Sequence, residues 1–577
     1  MDARVIGNSL PYLTTITIRS SQYSQIKSRM NRRRFLKAST VLGTAVARAP
    51  GVLWAEPPSI ASIGSETQLF LDDWIVERMD GLKRTLHQPK KKGLLKETDG
   101  RDWVNGDVYM GNIVCQDRRG LFHMTYRYGW WDPEVRNLDA NIGEDKAHWQ
   151  RYTTAYAFSE DGIRWHKPKL GLLEGPTGFR KQKEFPYDVP AGVSKENNLG
   201  CPIDFIYDLH AHGNITEPHK RFLVRVVRKA DTHPFAKTLE SQLFFAPDWP
   251  DFAKDAHWKD KMTPVAGGCL SPRGFASVAG FDREAGVWFA VSQDTLGHWI
   301  PRGGRDIARY SSPDLVHWSG PDLVLPVLAD ESKTSTDTVE YMNLDPYRVG
   351  GLKSGVWLGQ LLVFHSDRSD PQYMMPRTKN VWRKGTTELR LVLSRDAGKT
   401  WQRVCEKAVW LPCSAAPHGY DRLVFAQYPI RVGNEMRLYH SVYDGDHLIF
   451  NHDGALYEPG FIRTGRTGLA TFRPDGYVSL DGGEQTGNVL TRVLRFDGNE
   501  LFVNVATAGG SLRAELQDAE GKPLPGYALA DCKPITSDGV ALLVRWGRQK
   551  DLAELSGKPV RVQFELKNGS FYGFNFA

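Results

Sequence analysis

The chain has 577 residues, of which 24% are charged and 11% are aromatic. Nine of its 74 Lys and Arg residues but only one of its 67 Asp and Glu residues lie in residues 1–55, so the remainder carries one net negative charge although the whole chain carries +7. A nearly neutral remainder excludes the basic surface typical of nucleic-acid-binding proteins, and no apolar run in it is long enough to form a membrane-spanning helix.

The N-terminal segment is an ordered series of basic, apolar and small residues. Residues 32–37 read R-R-R-F-L-K, an apolar stretch follows at residues 38–47, and small residues stand at Ala47, Ala49 and Ala55. This order resembles a twin-arginine export signal, in which paired arginines precede an apolar region and a cleavage site at small residues. We therefore expect residues 1–55 to be a removable leader and the mature protein to be periplasmic or secreted.

Potential metal ligands show no recognised pattern. The six cysteines contain no C-x-x-C pair and no zinc-finger spacing. Two groups of three histidines lie close in sequence, at 210, 212 and 219 and at 440, 447 and 452, but no Cys or carboxylate completes a known zinc motif. We expect buried thiols, no metal site and no cofactor.

A short turn sequence recurs along the chain. Residues 394–401 read S-R-D-A-G-K-T-W, and residues 159–165 and 312–318 keep the Ser, the Asp and the closing Trp. Weaker copies begin at residues 246 and 473, so successive copies are 66 to 87 residues apart. The segments resemble the Asp box of sialidase-like propellers, and one copy per blade predicts five blades.

The chemistry of the repeat is structural. In the copy at residues 394–401, we expect the Asp396 carboxylate to accept hydrogen bonds from backbone N–H groups of its own turn. Gly398 would supply a positive φ and Trp401 would pack between neighbouring sheets. No catalytic role follows for the repeat.

The repeats and the remainder of the chain define the predicted domains. Strand-like segments precede each copy, and helical periodicity is weak throughout. Beyond residue 487 the spacing breaks, and short strands alternate with turns. The chain is therefore predicted to be all-β, with a five-bladed β-propeller at residues 66–487 followed by a β-sandwich domain at residues 488–577.

Acidic residues begin most of the channel-lining strands. The first strands of the five repeats are predicted at residues 107–114, 201–207, 275–281, 339–344 and 422–432. In a propeller these strands surround the central channel, so their first residues face its concave mouth. Carboxylates stand within three residues of four of these beginnings, as Asp107, Asp204, Glu340 and Asp421, whereas the third repeat has Arg273 nearby.

Converging carboxylates suit the cleavage of glycosidic bonds. That reaction needs one carboxylic acid to protonate the leaving oxygen and one carboxylate to act as nucleophile or base. We assign Asp107 as nucleophile or base, Asp204 as transition-state stabiliser or modulator of pKa, and Glu340 as general acid, with Asp421 as a substrate contact. The competing interpretation is that each residue caps a turn or pairs with an arginine.

Four further residues are candidate substrate contacts. Arg305 and His365 are placed to orient a hydroxyl or carboxylate of a substrate, although both also fit ordinary strand ends. Trp130 and Trp131 end a predicted strand and offer stacking platforms for sugar rings. Aromatic residues that cover the edge of a blade would show the same pattern.

Together the five repeats, the sandwich and the export signal resemble bacterial five-bladed glycoside hydrolases of families 32 and 43. The resemblance covers residues 66–577 and is architectural. Residues 103–107, W-V-N-G-D, echo the family 32 motif W-M-N-D-P-N-G, and residues 344–346 and 305–306 carry partial copies of its R-D-P motif. The resemblance implies an exported hydrolase with a carbohydrate substrate and Asp107 at the nucleophile position.

Two classes of function stay open at the level of sequence. The first is a glycoside hydrolase that uses Asp107, Asp204 and Glu340. The second is a non-catalytic propeller that binds a glycan or a protein, because propellers often serve as scaffolds. A lyase or phosphorylase on the same fold is a further alternative.

Overall fold

Strands make up nearly all the regular structure of this computed structural model. It describes residues 58–103, 113–131, 150–168, 203–227, 241–251, 257–270, 277–294, 305–328, 331, 337–351, 356–367, 385–413, 423–443, 465–507, 509–547 and 551–577. These ranges contain 35 strands and three short 3-10 helices, at Pro218–Lys220, Trp258–Lys261 and Ala553–Leu555. The all-β class is therefore confirmed.

The chain enters through six short strands that belong to several sheets. They are β1 (Ala61–Gly64), β2 (Gln68–Leu69), β3 (Val76–Asp80), β4 (Leu82–Leu86), β5 (Lys90–Leu94) and β6 (Lys96–Glu97). Strand β5 continues directly into β6 and then into the first of five consecutive antiparallel sheets.

Sheets 1 to 3 each begin with their innermost strand and proceed outwards. Sheet 1 contains β7 (Ile113–Gln116), β8 (Phe122–Trp131) and β9 (Gln150–Ser159), followed by β10 (Arg164–Trp165), which pairs with β6. Sheet 2 contains β11 (Ile203–Asp208), β12 (Phe222–Val227), β13 (Ser241–Ala246) and β14 (Thr263–Val265). Sheet 3 contains β15 (Ser277–Asp282), β16 (Val287–Asp294), β17 (Asp306–Ser312) and β18 (Ser319–Leu325).

Sheets 4 and 5 continue the same order. Sheet 4 contains β19 (Asp337–Arg348), β20 (Trp357–Asp367), β21 (Gly385–Ser394) and β22 (Gln402–Arg403), with β23 (Val409–Leu411) also paired to β21. Sheet 5 contains β24 (Leu423–Ala426), β25 (Ile430–Val432), β26 (Glu435–Tyr443) and β27 (Gly465–Phe472). Each predicted turn repeat follows the third long strand of one of these sheets, and the architecture is that of a β-propeller.

The ring is closed by the N-terminal part of the chain. Strand β5 pairs antiparallel with β27 and forms the outermost strand of sheet 5. Leu95 follows β5, donates its N–H to the carbonyl of Thr467 at 2.8 Å and accepts from the N–H of Trp103 at 2.9 Å. Because sheet 5 is completed by residues that precede sheet 1, the two ends of the repeat array are joined by main-chain hydrogen bonds.

Sheets pack face to face, so the middle strands are buried on both sides. Strand β20 shows this as a run of buried apolar residues that includes Leu358, Leu361 and Phe364. Its first residue, Trp357, makes an edge-to-face contact with Phe289 of sheet 3, with ring centroids 5.0 Å apart. Gly280 allows this approach, because a Cβ there would collide with the indole of Trp357.

The repeated turns are closed by their own side chains. Asp161 accepts hydrogen bonds at 2.8 Å from the N–H groups of Ile163 and Arg164. Although partial burial opposes ionisation, these donors lower the pKa of Asp161 to about 2. Asp396 likewise accepts from the N–H of Thr400 at 2.9 Å, as the sequence predicted.

The predicted glycine and tryptophan roles hold in two of the turns. Gly162 and Gly398 have φ values of 71° and 79°, and the closing Trp165 and Trp401 are buried. In the copy at residues 312–318 the positive φ falls instead on Leu315, whose value is 65°. A buried leucine therefore stands where a glycine was the simplest expectation.

The remaining strands form a sandwich. They are β28 (Val478–Gly482), β29 (Gly487–Thr491), β30 (Leu494–Phe496), β31 (Leu501–Ala506), β32 (Ser511–Gln517), β33 (Gly539–Leu543), β34 (Arg561–Lys567) and β35 (Gly569–Phe576). One sheet has the order β33-β31-β35-β28-β4 with β2 beside β35, and the other has the order β3-β29-β34-β32. Phe70 packs between them against Phe571, with ring centroids 4.9 Å apart.

This pairing differs from the expected domain boundaries of 66–487 and 488–577. Strands β2, β3 and β4 lie inside the range assigned to the propeller, yet they pair with sandwich strands. Strand β28 also leaves the propeller, after the turn at residues 473–476. The outermost position of sheet 5 is occupied by β5, so β28 has no place there and pairs with β4 and β35 instead.

A buried ion pair joins the sandwich segment to sheet 4. The Asp72 carboxylate accepts two hydrogen bonds from Arg395, each at 2.8 Å, and one from Gln402 at 2.8 Å. Burial opposes the charge, but Arg395 holds the pKa of Asp72 below its usual value. Arg395 belongs to the turn repeat, so this turn also anchors the second domain.

Candidate functional site

The innermost strands β7, β11, β15, β19 and β24 run in one direction along the channel, because their sheets share one strand order. The channel therefore has an entry mouth, formed by the beginnings of these strands, and an exit mouth, formed by their ends. Asp204 is the second residue of β11 and Glu340 is the fourth residue of β19. Both predicted carboxylates therefore belong to the entry half of the channel.

Glu340 is held by the preceding sheet. It is 3% exposed, and its Oε2 lies 3.2 Å from Nε of Arg305, which precedes β17. The Arg305 carbonyl accepts a hydrogen bond from the N–H of Tyr341 at 2.8 Å, and its guanidinium donates to Gln293 at 3.3 Å. The sequence predicted these two residues separately, and the structure brings them into one ion pair.

The register of sheet 4 places His365 at the same end of the sheet as Glu340. Val339 is directly opposite His365, and Glu340 is directly opposite Phe364. His365 keeps 38% of its side chain exposed, and its Nε2 lies 3.1 Å from Oε1 of Glu388. His365 therefore shares a face of the sheet with Val339, whereas Glu340 points to the opposite face, and His365 retains access to solvent.

Sequence reasoning missed a polar network behind His365. Arg390 donates from Nε to Oε1 of Glu388 at 2.7 Å and also forms an ion pair with Glu331. Tyr341 donates to Glu331 at 3.1 Å. Glu388 and Arg390 are two residues apart on β21 and therefore share a face of the sheet, which is a signal that the sequence did contain.

The environment of this network keeps Glu388 ionised and Tyr341 neutral. Burial opposes ionisation of Glu388, but His365 and Arg390 lower its pKa from the usual value. Burial raises the pKa of Tyr341 to about 12, so this phenol stays neutral and donates a hydrogen bond. Glu388 is thus an ionised carboxylate that orients His365.

The other predicted contacts are only partly covered by the described residues. Trp130 and Trp131 are the last two residues of β8, which places them at the same end of sheet 1 as the beginning of β7. Asp107 and Asp421, like the leader at residues 1–55, lie outside the described residues.

Neither a membrane span nor a metal cluster is seen in the ranges described. No helix there has both the length and the apolar character needed to cross a bilayer. No group of three or more His, Cys, Asp or Glu side chains in those ranges is arranged to hold a metal ion.

Comparison with known proteins gives weak similarities. No protein-family model matches the chain, and no curated protein matches it. Similar solved structures include a GH62 α-L-arabinofuranosidase catalytic domain from Coprinopsis cinerea (11% identity, 67% of this chain and 97% of that chain, TM-score 0.32). A glycosyl hydrolase from Bacteroides ovatus has 12% identity over 71% of this chain and 97% of that chain, with a TM-score of 0.31. A fructofuranosidase from Schwanniomyces occidentalis has 9% identity over 84% and 97%, with a TM-score of 0.32. All three TM-scores lie below 0.5, so the fold rests on the strand pairing described above.

Proposed function

We propose that the chain is an exported glycoside hydrolase that cleaves an oligo- or polysaccharide at the entry mouth of a five-bladed β-propeller. The observation that carries this proposal is the buried Glu340 carboxylate, 3.2 Å from Arg305, in the same half of the channel as Asp204. Burying a carboxylate in a β-sheet core is costly unless it is paired, and a functional site is one reason to keep it there.

The proposed roles follow from the two tasks of glycosidic cleavage. Glu340 is assigned as general acid towards the leaving oxygen, a role that requires its protonated form and therefore its separation from Arg305 when substrate binds. Asp107 acts as nucleophile or base, and Asp204 stabilises the positive charge that develops on the sugar ring. Asp421 contacts the substrate.

Three further groups would surround the substrate. His365, which lies 3.1 Å from Glu388, would hydrogen-bond a sugar hydroxyl at the same mouth of the channel. Trp130 and Trp131 would supply stacking surfaces at the same mouth. A carbohydrate bound there would meet carboxylates, an arginine, an imidazole and aromatic rings, which is the usual composition of a sugar-binding site.

The repeated turns are proposed to be Asp boxes with a structural role. Their carboxylates are engaged with backbone N–H groups, as at Asp161 and Asp396, so they are not available for proton transfer to a substrate. We assign one blade to each of the five repeats. The leader at residues 1–55 would direct the folded protein through the twin-arginine pathway to the periplasm or beyond.

The proposal is tested by incubating the mature protein, which begins at residue 56, with plant and algal polysaccharides and analysing the products. The expected result is release of a defined sugar or oligosaccharide from at least one substrate. If a glycan array shows tight binding but no substrate yields product over long incubation, the chain is a non-catalytic glycan-binding propeller. Products with an unsaturated ring or a sugar phosphate would identify a lyase or phosphorylase.

A further inference from the structure

A pocket opens at the exit mouth of the channel. Its volume is about 390 Å³, within the size range of small-molecule sites. The ends of the innermost strands line it, among them Gln116, Asp208 and Arg348. Eight residues separate Glu340 from Arg348 along β19, so at about 3.3 Å per residue this pocket is about 25 Å from the entry mouth. It is therefore separate from the proposed active site.

The charged side chains of this pocket balance one another. The described lining contains three aspartates and three arginines: Asp117, Asp208, Asp475, Arg221, Arg348 and Arg431. Arg221 lies 3.5 Å from Asp208. Burial lowers the pKa of Arg348 to about 10, and the negative charge of Glu66 opposes this shift. A ligand of the pocket therefore needs no net charge.

The turn that contains Asp475 differs from the other repeated turns. Strands β9, β17 and β21 each end in a serine, and β27 ends in Phe472 at the equivalent place. In the first three turns the second residue after the strand is the aspartate that closes the turn, whereas after β27 it is Pro474. Asp475 is the third residue after the strand and is therefore displaced by one position.

The third position after the strand has a common backbone conformation. Its φ is positive in these four turns, with values of 71° at Gly162, 65° at Leu315, 55° at Ala397 and 57° at Asp475. A Cβ at Gly162 would collide with Tyr439 of the neighbouring sheet, Leu315 is buried, and Ala397 packs against the apolar core. Asp475 thus places a carboxylate where the other three turns have small or apolar residues.

The Asp475 carboxylate does not close its own turn. Asp161 and Asp314 each accept two backbone hydrogen bonds at 2.8 Å, but the Asp475 side chain accepts none from the residues described. It is partly buried and lines the pocket. Burial raises the pKa of Asp475, although the positive charge of Arg431 opposes this shift.

Glycine is the residue that would fit this position most easily. It would avoid both the strain of a side chain at positive φ and the cost of a buried carboxylate. Asp tolerates positive φ better than most residues do, but here its side chain faces the pocket and not the turn. Groups that are costly to the fold cluster at ligand-binding sites. The position therefore indicates that the Asp475 carboxylate serves the pocket.

The rest of the lining suits a hydroxylated ring. A sugar hydroxyl both donates and accepts hydrogen bonds, so it needs acceptors and donors side by side. Asp208 and Asp475 supply acceptor oxygens, and the exposed Arg431 supplies N–H donors. Apolar side chains also line the pocket, at Val349, Ile430 and Met436. A few polar groups beside an apolar wall are the usual composition of a small-molecule site.

We propose that the exit-mouth pocket binds a neutral monosaccharide whose hydroxyl groups donate hydrogen bonds to the Asp475 carboxylate. The ring packs against Val349, Ile430 and Met436, and Arg431 donates to a ring hydroxyl. This binding neither requires nor excludes hydrolysis at the entry mouth.

The proposal is tested by titration calorimetry of the mature protein with D-glucose, D-galactose, D-xylose and L-arabinose. D-glucuronate and D-glucosamine serve as anionic and cationic counterparts. At least one neutral sugar should bind, and at least about tenfold more tightly than both charged sugars, because the balanced lining leaves an added charge unpaired. Absence of binding by all four neutral sugars would overturn the site. Equal or tighter binding of a charged sugar would overturn its neutral character.

Asp475→Gly separates a binding role from a structural one. It should weaken binding of the best neutral sugar at least about tenfold, because the acceptor is lost. Its midpoint in urea unfolding should equal or exceed that of wild type, because glycine is unstrained at this φ and removes a buried charge. Asp475→Asn, which also tolerates positive φ, should bind more weakly than wild type as well.

Asp314→Ala is the matched control. Asp314 closes the turn of sheet 3 and does not line the pocket. Its removal should lower the urea midpoint and leave sugar affinity unchanged, the reverse of Asp475→Gly. Glu340→Gln should also keep wild-type affinity, since it lies at the entry mouth. Wild-type affinity in Asp475→Gly, a midpoint as low as that of Asp314→Ala, or equal loss of affinity in Glu340→Gln would overturn the proposal.

Discussion

Replacing Leu95 by Ala tests how the propeller is closed. Leu95 is 1% exposed and packs in a cluster that includes Trp103 and Tyr126 on one side and Leu469 of the last sheet on the other. The side chain therefore bridges residues from both ends of the repeat array. Its main-chain hydrogen bonds to Thr467 and Trp103 would persist in the variant, so the substitution removes packing alone.

The expected loss follows from burial. Truncating a fully buried leucine to alanine costs about 2–5 kcal/mol, because apolar contacts are lost and a cavity remains. We expect about 3 kcal/mol for Leu95→Ala. The matched control is Leu323→Ala on β18, since Leu323 is 44% exposed and should change stability by less than about 0.5 kcal/mol.

Both variants are compared with wild type by urea unfolding of the mature protein, followed by tryptophan fluorescence and circular dichroism. Leu95→Ala should lower the transition midpoint clearly, whereas Leu323→Ala should leave it within error. Equal midpoints for the two variants would refute the conclusion that residues 90–95 complete the last sheet. The inference would also fail if a chain that begins at residue 96 were as stable as the mature protein.

Three further predictions concern pH, backbone conformation and the candidate site. Burial lowers the pKa of His123 to about 4 from 6.5, so the contribution of this residue to the free energy of unfolding is complete above pH 6.5 and is lost as the pH falls towards 4. His123→Gln should therefore flatten the plot of unfolding free energy against pH in this range by up to about 3 kcal/mol. An unchanged plot would contradict this prediction. In urea unfolding, Gly398→Ala should destabilise the protein by about 1–3 kcal/mol more than Gly286→Ala. Both glycines have a positive φ, but only at Gly398 would a Cβ lie 3.0 Å from a neighbouring aromatic ring. Equal losses would show that this contact relaxes. Arg305→Ala should lower kcat/KM at least about tenfold on any polysaccharide that the protein is found to cleave, and Arg305→Lys should have an intermediate kcat/KM. Wild-type kinetics in both variants would show that Arg305 does not belong to the site.

The sequence predicted those elements whose signals are local. The turn at residues 394–401 requires an Asp, a Gly and a Trp at fixed spacing, and each has the expected contact or conformation. Most innermost strands were also predicted within a few residues, as β11 and β15 show. The exception is the segment at residues 422–432, which is split into β24 and β25 around Pro429, a residue without an N–H to donate.

The sequence did not predict how distant segments pair. Strand β5 contains Lys90, Lys91 and Lys92 and reads as a solvent-exposed segment, yet it forms the outermost strand of sheet 5. Alternation of apolar and polar residues defines a strand and its buried face but not its partner. The assignment of β2, β3 and β4 to the propeller was therefore in error, since their partners lie more than 390 residues later.

The candidate site likewise contains residues that the sequence predicted and residues that it did not. Glu340 and Arg305 were each singled out by position, but their ion pair depends on the packing of sheet 4 against sheet 3. Glu388 and Arg390 were missed because charged residues in a third strand are usually solvent-facing, whereas here they form a network behind His365.

The proposed catalytic role of Glu340 is tested most directly by the rate of product release by Glu340→Gln, compared with wild type and with Asp322→Asn. Asp322 is an exposed carboxylate on the outermost strand of sheet 3, so its variant controls for loss of one negative charge. We predict that Glu340→Gln, folded as judged by circular dichroism, loses at least about 100-fold in kcat while Asp322→Asn keeps wild-type activity. A folded Glu340→Gln variant with wild-type kcat would contradict it.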